Sequence, residues 1–194
     1  VTPPQEVPSV VVTPPVGAPA AATTPGSVAT GHLAPPVTLP LLPTKDLVTG
    51  RLEAVGWHPP TADGTPDPRD GRAQGLLRYR VGRPDPDLLT GGHPLHGTVP
   101  VPSRVLHVTA LLPDTTAGRA REITDALFHR AAGLAVAERA DQVLVSTAEP
   151  ELVHPLGLTE LAPQLWHTTT ADLADALRSR PEPADLKVGN CESR

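Results

Sequence analysis

"LLPDTTAGRAREITDALFHRAAGLAVAERADQVLVST", residues 111–147, decides the fold. Its first residues close the apolar run "RVLHVTALL" (104–112), the strongest strand pattern in the chain. A polar turn carrying Gly118 comes next. Ile123, Leu127, Ala131, Leu134 and Ala137 then recur at helical spacing and build one apolar stripe, with Arg121, Asp125 and Arg130 largely off it. Thr115 or Thr116 is the expected N-cap, because its hydroxyl can accept from an unpaired amide of the first turn. "QVLVST" (142–147) follows as a buried strand. A strand–helix–strand passage of this length implies a parallel pair joined by a right-handed crossover.

Towards the N-terminus, "GLLRYRV" (75–81) predicts a strand with Leu77, Tyr79 and Val81 on one face and Arg78 and Arg80 on the other. "LVTGRLEAVGW" (47–57) predicts a strand pair or one bent strand, punctuated by Gly50 and Gly56. Turn-forming residues make loops of 58–72 and of most of 82–103. Towards the C-terminus, "PELVHPLG" (150–157) predicts a short helix that starts at Pro150 and stops before Pro155. "QLWHT" (164–168) is a last strand, and "TTADLADALRSR" (169–180) a short capped helix. The fold class expected is mixed α/β: a mostly antiparallel sheet with one parallel strand–helix–strand unit.

Composition sets the boundaries of that domain. Eleven of the 26 prolines fall in residues 1–44, where Glu6 is the only charge. Proline fixes φ and removes a donor, so this segment is expected to be an extended tail or linker. The α/β domain is placed at 45–180, and the polar residues 181–194 are expected to fray as a flexible tail. Only 2% of residues are aromatic, so the core must be built from Leu, Val and Ala. A net charge of −5 without a basic run argues against nucleic acid as a partner. Cys191 stands alone, which excludes an internal disulfide and a cysteine-based zinc site. No apolar stretch approaches the roughly 20 residues of a membrane span, and no basic-then-apolar leader is visible, so a cytoplasmic location is expected.

The turn at 113–124 has the makings of an anion site. The first amides of a helix are unpaired, the dipole there is positive, Gly118 permits close approach, and Arg119 and Arg121 add charge. The run 104–161 resembles the core of the GNAT acyl-CoA N-acyltransferase superfamily in its order of strand, loop, long helix, strand and short helix. On that resemblance the pyrophosphate-binding loop falls on Arg119, Ala120, Arg121, Glu122, Ile123 and Thr124, and "PLGLTELA" (155–162) is similar to the family's closing motif, with Leu158 in the aromatic position. The resemblance implies acetyl-CoA or another acyl-CoA as substrate, a small-molecule or protein amine as acceptor, and amides around Leu111 and Leu112 that serve the pantetheine and the carbonyl. Glu122 and Thr124 depart from it, standing where the family has small residues. The tyrosine that protonates the leaving thiolate would fall near Val153, where His154 is the adjacent proton donor.

Acyl transfer to an amine needs a base, and His107, in mid-strand just upstream of the loop, is the candidate. The rival reading of the same residues is a GNAT-like domain without catalysis, used for binding or regulation. A splayed pair of parallel strands beside the helix start is expected of either. Metal chemistry is not expected: His93 and His96 sit in a glycine- and proline-rich loop with Asp85 and Asp87 before them, and Asp63, Asp67 and Asp70 lack the alternation of a calcium loop.

Overall fold

The computed structural model describes residues 37–57, 63–65, 70–87, 95, 101–115 and 118–190. The 111–147 stretch folds as its pattern predicts. Strand β3 (Val105–Pro113) leads into helix α1 (Ala120–Ala137) and returns as β4 (Gln142–Ser146), parallel to β3. Before it come β1 (Val48–Gly56) and β2 (Ala73–Gly82). After it come α2 (Pro150–Val153), a 3-10 turn (His154–Leu156), β5 (Thr159–Ala162), β6 (Leu165–Thr169), α3 (Thr170–Arg178) and β7 (Leu186–Asn190). The strands form one sheet in the order β5-β6-β4-β3-β2-β1-β7, and every neighbouring pair except β3 and β4 is antiparallel.

Alternation along each strand sends side chains to two faces. On one face Leu77, Tyr79, Leu106 and Val108 pack against Ile123, Leu127 and Phe128 of α1 and against Leu173 and Leu177 of α3. Gly75 sits where α1 comes closest to the sheet: a Cβ there would lie 2.4 Å from Ile123 Cγ2. Arg180, just past the end of α3, ties that end to α1 and to the 3-10 turn. It binds the Asp125 carboxylate of α1 at 3.0 Å and donates to the Pro155 carbonyl at 2.6 Å. On the other face Val105, Leu144 and Leu165 pack against Leu39, Leu41 and Leu95.

Residues 37–44, read from the sequence as part of a tail, are therefore part of the domain. Leu39 is fully buried, and Leu41 forms a single bridge with Pro84. Val37, Leu39 and Leu41 alternate with period two, but Pro40 among them and Pro35, Pro36 and Pro43 around them mask the pattern. Pro40 is tolerated because the segment makes one bridge, not a ladder. Residues 186–190 are likewise not frayed: β7 pairs with β1 over Leu52–Gly56, and Leu186 is buried. The four-residue β5 carries no strand pattern of its own, and of the two readings of 47–57 the single strand holds, as β1 with a bulge at Ala54/Val55. The N-cap of α1 is Arg119, not Thr115 or Thr116. Gly118, at φ +68°, turns the chain just before the helix, and its amide bonds the Thr115 carbonyl at 3.2 Å.

The register around the parallel pair matters for the site. β3 and β4 pair from Val105↔Gln142 to Val108↔Val145 and no further, although β3 runs on to Pro113. Just past that point the ladder with β2 jumps from Tyr79↔Val108 to Arg78↔Ala110, so Thr109 is an extra, bulged residue. β4 itself ends at Ser146, so β3 runs on from Thr109 to Pro113 without β4 beside it.

Candidate functional site

The residues singled out from the sequence fall at three places. At the head of α1, Ala120–Thr124 form the first helical turns instead of an extended loop. Ile123 and Thr124 turn inward and are fully buried, while Arg121 and Glu122 are exposed. No side chain caps the helix, so its leading amides are not taken by a capping oxygen. Arg119, however, is taken. Its guanidinium binds Asp185 through two nitrogens, at 2.5 and 2.9 Å, and Glu122 at 2.6 Å. The hydrogen bonds to Asp185, and then those to Glu122, hold its pKa above the ordinary arginine value. Arg119 and Arg121 are thus matched by Glu122 and Asp185, and the turn offers an anion helix amides without net positive charge. Asp185 comes from the loop before β7, more than sixty residues away in sequence, and no local pattern announces it.

Leu111 and Leu112 lie on β3 beyond the last pair with β4. Leu111 is buried under α1, whereas Leu112 is 60% exposed on the opposite face. Successive amides of a strand point to opposite sides, so one of the two points to the side of β3 beyond the end of β4.

The second place is the sheet face away from α1. His107 is 1% exposed there, and its Nε2 lies 2.9 Å from Ser146 Oγ on β4. Ser146 Oγ in turn donates to the Val37 carbonyl at 3.2 Å. The chain from 37 to 41 lies across this pair, so the histidine holds a polar tie inside an otherwise apolar layer. Ser146, which the sequence shows only as a polar residue at a strand end, is the partner that explains how His107 is buried.

His154 marks the third place. It is exposed in the 3-10 turn after α2, and its ring meets Trp166 edge-on at 4.8 Å. Trp166 is held by its indole N–H, which donates to the Thr147 carbonyl at 3.1 Å. Around them is a cavity of about 610 Å³ at the C-terminal end of β4, with Thr147, Leu158, Glu160 and Gln164 in its wall. Gln164 has φ +63°, in the left-handed region that side chains rarely adopt, and its carbonyl accepts from Thr147 N at 2.9 Å. The structure does not bring His107 and His154 together: one is under the 37–41 segment, the other on the helical side with Trp166.

Among the described residues no three His, Cys, Asp or Glu side chains are grouped to hold a metal ion. His93, His96, Asp67 and Cys191 lie outside the described residues. No helix among the described residues is long and apolar enough to cross a membrane. No protein-family model matches the chain, and no curated protein matches it significantly in sequence.

Proposed function

We propose that this chain is a GNAT-like domain that works by binding rather than by acyl transfer. The strand order and the β3-α1-β4 unit with its one parallel pair support the GNAT-like half of the reading. The observation that carries the noncatalytic half is the placement of His107. At 1% exposure beneath residues 37–41, and bonded to Ser146, it gives an amine no route to a base. The pairing of Arg119 with Asp185 and Glu122 points the same way, because its charge is already matched.

The acyltransferase reading keeps one observation in its favour, the uncapped first turn of α1. In that reading acyl-CoA places its pyrophosphate on the amides of Ala120, Arg121 and Glu122, and an amine is the acceptor. Titration calorimetry with acetyl-CoA separates the two. The binding-domain reading expects no heat for the wild type or for Arg119→Ala at millimolar acetyl-CoA, and no thermal shift. A ligand at 100 times its Kd would stabilise by about 2.7 kcal/mol. Wild-type affinity that tightens in Glu122→Gly and weakens in Arg119→Ala would restore the acyltransferase.

A further inference from the structure

The three helices cover one face of the sheet; among the described residues the other face is covered over β3, β4 and β6. Over β1 and β2 it stays open: Thr49, Arg51 and Arg78 are exposed, and Glu53, Leu76 and Arg80 half-buried. The register lays these side chains out in rows. Glu53, Leu76 and Leu112 stand side by side, then Arg51, Arg78 and Ala110, then Thr49 and Arg80. Arg51 and Arg78 are direct cross-strand neighbours, an arrangement in which like charges repel. Among the described residues no carboxylate binds the side chains of Arg51, Arg78 or Arg80, whereas Arg104 and Arg180 each bind one and Arg119 binds two. Beside the arginine row, Leu76, Leu112 and Pro113 line a groove of about 400 Å³, and Leu112 is 60% exposed.

We infer that this face docks an acidic, extended segment of a protein partner. Arg80, Arg78 and Leu76 are successive outward residues of β2, about 7 Å apart. An extended segment lying along them with the pattern carboxylate-x-carboxylate-x-apolar places its two acids on Arg80 and Arg78 and its apolar side chain in the groove. Arg51 completes the site for the central carboxylate, and the repulsion between Arg51 and Arg78 is relieved when that carboxylate arrives. A nucleic acid fits less well, because its unbroken run of phosphates would pass Glu53 and Asp114 in the groove, where the peptide presents an apolar side chain. The surface is separate from the head of α1, and its test involves no CoA.

The test uses the full chain and a labelled synthetic peptide repeating Glu-Ser-Glu-Ser-Leu, followed by fluorescence anisotropy. Binding is expected to weaken as salt rises, to fall about tenfold in Arg78→Glu, and to fall about threefold in Leu112→Ser. It should be unchanged in Arg130→Glu, which alters α1 on the other side. A single-stranded oligonucleotide of equal charge should bind more weakly than the peptide. No peptide binding at 1 mM, equal binding by Arg78→Glu, or tighter binding of the oligonucleotide would each overturn the inference. A readout free of any ligand is the melting temperature of Arg51→Thr. Removing one of the opposed arginines should raise it by about 2 °C at low salt and not at high salt. An unchanged value at low salt would mean that no repulsion is stored in this face, and would count against the docking site.

Discussion

Gly75 and Arg119 show how much can turn on one side chain. Gly75 ends a run of polar and small residues before "LLRYRV", and nothing in the sequence marks it as different from the glycines of the neighbouring loops. In the fold it is the point where the sheet meets α1. Gly75→Ala drives a methyl group to 2.4 Å from Ile123 Cγ2, so the helix must lift or Ile123 must leave its rotamer. A loss of about 1–3 kcal/mol in urea unfolding is expected. An unchanged midpoint would show that α1 can slide without cost. Arg119 teaches the opposite lesson. Its place near the start of the helix and its charge suggested a phosphate, but the partner that uses that charge, Asp185, comes from a distant loop.

Among the elements, the parallel pair is the one whose ends are best defined. Asp141, at the start of β4, accepts from Ser103 Oγ at 2.5 Å and from the amides of Ser103 and Arg104 at 2.8 and 3.2 Å. It thereby pins the start of β3 to the start of β4. The Ser103 hydroxyl, and then the two amides, lower the Asp141 pKa below its ordinary 3.8. A carboxylate with a depressed folded pKa adds stability that is fully present above the unfolded value and is lost as pH falls through the folded one. The contribution of Asp141 should therefore persist at neutral pH and disappear below about pH 4. Asp141→Asn should remove that part of the acid limb in a pH series of thermal melts, at a cost of less than about 1 kcal/mol at pH 7, because the carboxylate is exposed to solvent. An acid limb of the same shape in the variant would mean that Asp141 is not a pin. Element types were legible here because periodicity is local. The short β5 was not, since four residues carry too little pattern.

At the scale of the whole molecule, the segment 37–47 is the decisive piece. It covers half of one sheet face, closes a second apolar layer with Leu39 and Leu41, and buries His107 with Ser146. Leu39→Ala should cost about 2–5 kcal/mol, measured by denaturant titration, as for any fully buried leucine. A cost near zero would return these residues to the tail. By itself the sequence determined the β3-α1-β4 unit, the inward face of β2, the capped α3 and the mixed α/β class, because each rests on hydrophobic spacing within one segment. Only the tertiary structure decided that 37–44 pack on the sheet and 186–190 join it, that Arg119 faces two carboxylates, and that the His107 ring is closed off. Each of these depends on residues far apart in the chain whose meeting is set by strand register and by which face of the sheet remains to be covered. A single sequence, read locally, contains no signal for either.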